Sequence, residues 1–115
     1  MASSSLSVRI LPEPLRSLAF GSITSGYVAI GDPLAHPSRI VHFQNATDEA
    51  IYLSWDGIND HFYILSGSFI LLDCGTNRGS VASEMAVSQG TQFYIKYASA
   101  PSLGGVYIST LYGKE

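Results

Sequence analysis

Between residues 54 and 61 the chain reads SWDGINDH, placing two carboxylates (Asp56, Asp60), an amide (Asn59) and an imidazole (His61) close together. Such groups can ligate a cation or exchange a proton. A calcium loop of the EF-hand type needs oxygen ligands at alternating positions, a central glycine and a glutamate at its twelfth position. Counted from Asp56, that position is Gly67, and the flanking residues read as strand. Asp-Gly and Asn-Asp are also turn formers that accept a positive φ or bond their own backbone. The stretch is therefore expected to be a corner between two strands, without a metal and without a catalytic role.

The other reactive side chains are isolated. His36 lies between prolines, His42 alternates with Val41 and Phe43, and His61 opens an apolar run. None has a His, Cys or Glu partner at the tight spacing of a zinc site. Cys74, the single cysteine, continues the alternation of Ile70 and Leu72 and reads as a core residue. GSITSG does not fit the G-x-S-x-G nucleophile turn, and GTNRG at 75–79 lacks the Lys-Ser/Thr of a phosphate-cradling loop. The sequon Asn45-Ala46-Thr47 reads as a turn rather than a glycan acceptor. No catalytic, cofactor-binding or metal-binding residue is expected, and the chain is not expected to be an enzyme.

Composition points to packing. The 115 residues suit one domain, 46% of them hydrophobic but only 13% charged. A typical soluble domain carries about 25% charged residues. A skin so poor in charge favours contact with neighbours. The six cations (Arg9, Arg16, Arg39, Arg78, Lys96, Lys114) are scattered and the net charge is −3, which argues against a nucleic-acid partner. One cysteine permits no internal disulfide. MASSSLSVRILPEPL has no apolar stretch of the signal-peptide kind, and no apolar run reaches membrane-span length. Assembly in a cytoplasm, away from a membrane, is the expectation.

These residues must be positioned by strands. From Leu15 onward, short apolar stretches are cut by Gly, Asn, Asp, Pro and Ser: LRSLAFGSI, GYVAIG, RIVHFQN, AIYLSWD, HFYIL, FILLDC, TQFYIKYA and GVYISTLYG. About eight strands at such spacing predict a single antiparallel β-sandwich in an all-β fold. In AIYLSWD, Ile51, Leu53 and Trp55 share one face; in TQFYIKYA, Phe93, Ile95 and Tyr97 do. VASEMAVS is the single helical candidate and is too short to assign. Residues 1–14 are expected to be an extended N-terminal arm before a domain at 15–115, because PEP at 12–14 blocks helix. Leu6, Val8 and Ile10 alternate with polar residues, so the arm could add as a strand to a partner's sheet. It could instead be the first strand of its own domain, or be disordered. Seven tyrosines, with Tyr94 and Tyr107 on the last two strands, suit ring packing, a protein interface or sugar stacking.

LAFGSI, the pattern F-x-N-x-T-D at 43–48, S-x-D-G-x-x-D-H at 54–61 and GTQFYIKY resemble a family of small proteins encoded in the structural gene clusters of tailed bacteriophages. The resemblance covers roughly residues 15–113. It implies a jelly-roll-like sandwich without enzymatic activity that is part of the virion. Such a part would bind capsid, portal, neck or tail proteins, as cement or decoration on the capsid or as an adaptor or fibre anchor. It would act as a homo-oligomer in a symmetric assembly. Leu6, Val8, Ile10, Tyr94 and Tyr107 are the expected partner-binding residues. The alternative is a carbohydrate-binding module for host-surface glycans.

Overall fold

The computed structural model describes residues 9–74 and 86–114. Leu6, Val8, the GTNRG loop and most of the VASEMAVS segment lie outside the described residues. Pro12 and Pro14 cannot donate to a ladder, so the first edge is built in two pieces. β1 (Arg9–Pro12) and β2 (Arg16–Ala19) lie end to end against one long strand, β9 (Gly105–Lys114). Arg9 faces Lys114 and Pro12 faces Leu111; after the break Arg16 faces Ile108 and Ala19 faces Gly105. Glu13 bridges the gap by donating its N–H to the carbonyl of Thr110 at 3.0 Å. Residues 9–12 of the expected arm are thus extended, and they pair with their own domain.

The remaining strands are β3 (Val28–Ala29), β4 (Ser38–Asn45), β5 (Ile51–Ser54), β6 (Phe62–Ile64), β7 (Phe69–Asp73) and β8 (Tyr94–Tyr97). One sheet runs β1/β2, β9, β4, β7 and the other runs β3, β8, β5, β6, with every pairing antiparallel. The β5–β6 hairpin sits inside the β4–β7 pair, that inside β3–β8, and that inside β2–β9. This nesting is the jelly roll, a five-stranded layer, with β1 and β2 end to end, over a four-stranded one, folded from one long ribbon. LRSLAFGSI contributes less strand than its apolar content suggests. After Ala19 it closes into a 3₁₀ turn, Phe20–Ser22, anchored by the Phe20 N–H on the Gly104 carbonyl at 3.0 Å.

Alternation decides which side faces in. Val41 and Phe43 of β4, Ile51 and Leu53 of β5, Ile95 of β8, and Val106 and Ile108 of β9 are buried between the layers, with Ile30, Leu34, Phe93 and Ile64. Each such side chain contributes about 1.5–3 kcal/mol by leaving water. Trp55 is half-buried at the edge of this cluster, 5.9 Å from the ring of Phe62 and edge-on to Phe93. Cys74 is half-buried and continues the side of β7 that holds Ile70 and Leu72.

Candidate functional site

The SWDGINDH stretch is the β5–β6 corner, and most of its polar atoms are used on itself. Asp56 Oδ1 accepts from the N–H groups of Ile58 (2.8 Å) and Asn59 (2.9 Å) and from the Ser54 hydroxyl (2.8 Å). Its Oδ2 accepts from the Asn59 amide at 2.8 Å. The Asn59 and Ile58 N–H groups, then the Asn59 and Ser54 side chains, hold the Asp56 carboxyl well below the usual carboxylate range. His61 Nδ1 accepts from the Trp55 N–H at 3.0 Å, which leaves the ring proton on Nε2, 3.9 Å from Asp56. Gly57 turns the corner at φ +74°, and a Cβ there would meet the face of Tyr94 at 3.3 Å. The expected turn is present, and Asp56 and His61 stand at its surface, their side chains 40% and 38% exposed.

Asp60 behaves differently because it reaches out of the loop. It accepts from the Tyr27 hydroxyl at 2.5 Å and pairs with Lys96 Nζ at 3.2 Å. The bond from Tyr27 and then Lys96 lower its pKa. Burial, followed by the bond to Asp60 and its charge, pushes the Tyr27 phenol above its ordinary range. The register puts these groups in one line. Tyr63 on β6 faces Tyr52 on β5, which faces Lys96 on β8; Tyr27, just before β3, comes next. The Tyr52 and Tyr63 rings are 4.9 Å apart, and the Lys96 ammonium stands 4.7 Å from the Tyr27 centroid and 5.3 Å from that of Tyr52.

The outer face of the larger sheet has a different character. Phe69 and Leu71 on the edge strand β7 are 58% and 53% exposed, and Tyr107 on β9 is 42% exposed. Between them β4 turns out His42, whose ring is 5.2 Å from that of Phe69, with Ile40 and Gln44 on either side. Leu111 continues the patch and β1 adds Ile10, 45% exposed. The charged residues at the margin of this face are Asp73 on β7 and half-buried Arg39 at the β4 register shift, at one corner of the sheet. Ile10 and Tyr107 therefore share this face. Tyr94 lies on the opposite sheet, half-buried under Gly57, so it does not share a surface with Ile10 and Tyr107.

Two buried polar knots escaped the sequence reading. Glu13 Oε1 accepts from Arg16 Nη2 at 2.8 Å, and Oε2 accepts from the His36 N–H at 3.0 Å and lies 3.0 Å from its Nδ1. Arg16 also donates to the Asp32 carbonyl at 2.8 Å and the Thr110 hydroxyl at 3.0 Å. The His36 ring stacks on Tyr112 at 3.7 Å. Burial raises the Glu13 pKa, but Arg16, His36 and the Ala35 and His36 N–H groups outweigh that and lower it. Asn45 is wholly buried; its amide donates to the carbonyls of Glu49, Ile64 and Leu65, and its oxygen accepts from Thr47. The amide nitrogen of the sequon is thus spent inside the fold. Among the described residues, no three His, Cys, Asp or Glu side chains are grouped to hold a metal ion.

No protein-family model, curated protein or solved structure matches the chain significantly.

Proposed function

We propose that this chain is a non-enzymatic structural subunit of a tailed-bacteriophage virion. It would bind other virion proteins, at the neck or tail or on the capsid exterior, through the outer face of its larger sheet. The observation that carries this reading is the charge-poor patch of Phe69, Leu71, Tyr107 and Ile10 around His42. Large apolar side chains half out of water are stabilised when a neighbour covers them. The exposed parts of these four amount to on the order of 300–400 Å² per copy, as large as the biggest patch on a typical monomer. Repetition around a symmetric particle turns modest contacts into a lasting attachment through effective concentration. The sequence resemblance to phage structural proteins and the low charge content support the same reading.

Cross-linking mass spectrometry on purified particles tests it. The chain is expected in the particles, with Phe69 and Leu71 protected from surface labelling and neighbouring residues cross-linked to another virion protein. A chain absent from particles, or present with this face fully labelled, overturns the proposal.

A further inference from the structure

The smaller sheet carries a second, chemically distinct surface, which a structural role does not use. Tyr63, Tyr52, Lys96 and Tyr27 form one row across its four strands, with Asp60 leaning over the Lys96 end. Strands lie about 4.8 Å apart, so the row is roughly 14 Å long. From this row we infer that the smaller sheet is a binding site for a short neutral saccharide.

Two observations carry the inference. Tyr63 is 53% exposed and its ring leans on Tyr52, which gives a pyranose an aromatic surface for its apolar C–H side. The electron-rich face of an aromatic ring attracts such polarised C–H groups. Next to the rings stand a carboxylate acceptor and an ammonium donor at 3.2 Å, held in place by the Tyr27 hydroxyl. Neighbouring hydroxyls of a sugar both donate and accept, so one can donate to Asp60 while the next accepts from Lys96. Positioned polar groups beside aromatic walls are the usual make-up of a small-molecule site.

The same ion pair argues against a dry protein interface here. Interface centres are depleted in charge, and covering a Lys–Asp pair whose side chains are 26% and 47% exposed with apolar atoms removes its water without replacing it. Sugar hydroxyls replace that water. The sign of the local charge selects the ligand further. Lys96 is the cation of the patch and Asp60 and Asp56 are its carboxylates, so an acidic sugar is repelled.

The test is a titration of the isotope-labelled chain with maltotriose, cellotriose, chitotriose and galactotriose, and with trigalacturonate as the acidic comparator, followed by amide chemical shifts. At least one neutral trisaccharide is expected to shift Tyr52, Asp60, Tyr63 and Lys96 at millimolar concentration, more strongly than trigalacturonate does. Tyr63→Ala should weaken that binding roughly tenfold or more, while Tyr107→Ala on the opposite sheet leaves it unchanged. Asp60→Asn, in an exposed loop, repeats the test without touching a ring and should also weaken binding. Silence from every neutral trisaccharide, a preference for trigalacturonate, or binding indifferent to both site variants overturns the inference. Protection of this row by another protein in purified particles, with no saccharide response, does so as well.

Discussion

The guanidinium of Arg16 meets the carboxylate of Glu13 at 2.8 Å, across Pro14, with both side chains almost entirely out of water. The pair locks the break between β1 and β2 to the loop that carries Asp32 and His36. Removing one member of a buried pair leaves the other charge uncompensated, at a cost of about 3–5 kcal/mol. Arg16→Met and Glu13→Leu are each expected to fall in that range by urea unfolding. The double variant should cost clearly less than the sum, because no lone charge is then buried. Strict additivity would show that the pair is not coupled.

Asn45→Asp changes one atom group and reverses its role. The amide donates to three carbonyls, and a carboxylate in its place would face those oxygens as an acceptor. Losing buried bonds and placing a charge against carbonyls should cost at least about 3 kcal/mol. Thermal unfolding of the variant is expected to fall by roughly 10 °C or more. An unchanged midpoint would contradict the buried knot.

Gly57→Ala should destabilise the corner by about 1–2 kcal/mol, since φ is +74° and the new Cβ presses on the Tyr94 ring. Gly67→Ala makes the comparison, being at φ +75° with open space around it. Urea unfolding should place Gly57→Ala below Gly67→Ala; equal values would mean that the loop does not rest on Tyr94.

The acid side of the stability curve follows from four carboxylates. Glu13, Asp56, Asp60 and Asp48, which accepts from the Ser102 hydroxyl and N–H, all have pKa values lowered by folding. A group so lowered binds fewer protons in the folded chain, so its contribution is complete above the unfolded pKa of about 4 and disappears as pH falls through the folded value. Stability should therefore fall progressively from about pH 5 downwards. Asp56→Asn should be less stable than the parent at neutral pH, and the gap should narrow as acid protonates Asp56. A gap independent of pH would assign the effect to something other than ionisation.

Leu71→Lys places a charge in the middle of the apolar edge while leaving the core untouched. Monomer stability should stay within about 0.5 kcal/mol, as for other surface changes. Sedimentation should show self-association, or attachment to particles, reduced in this variant. An undiminished assembly would remove β7 from the interface.

Much of the fold could be read directly. Alternation put Ile51 with Leu53 in AIYLSWD, and Phe93 with Ile95 in TQFYIKYA, on shared faces, and all four are buried. Strand order was less accessible, because alternation describes one strand at a time and says nothing about its neighbour. That limit hid the row from Tyr63 to Tyr27, whose members are far apart in sequence and meet only through register. It also made Tyr94 and Tyr107 look equivalent, although they lie on opposite layers. Glu13 was read only as part of the helix-blocking PEP and Arg16 as one of six scattered cations, since nothing local shows that a loop about 20 residues later folds over them. Asn45 was read as part of a turn; it ends β4 and its oxygen accepts from Thr47 in the turn that follows, but its bonds to Ile64 and Leu65 depend on a hairpin that the turn itself does not specify.

The placement of β9 has a consequence for how the molecule comes into being. Both neighbours of this strand are synthesised long before it, and Arg16 waits 94 residues for Thr110. Until residues 105–114 leave the ribosome, β4 has one open edge and β1 and β2 have nothing to pair with. The smaller layer is complete by Tyr97, so it is the natural first island of order in the nascent chain. Closing such distant pairs makes for slow folding. The final zip of β9 between strands already made is the step at which the larger layer, and with it the apolar patch, first exists as a continuous surface.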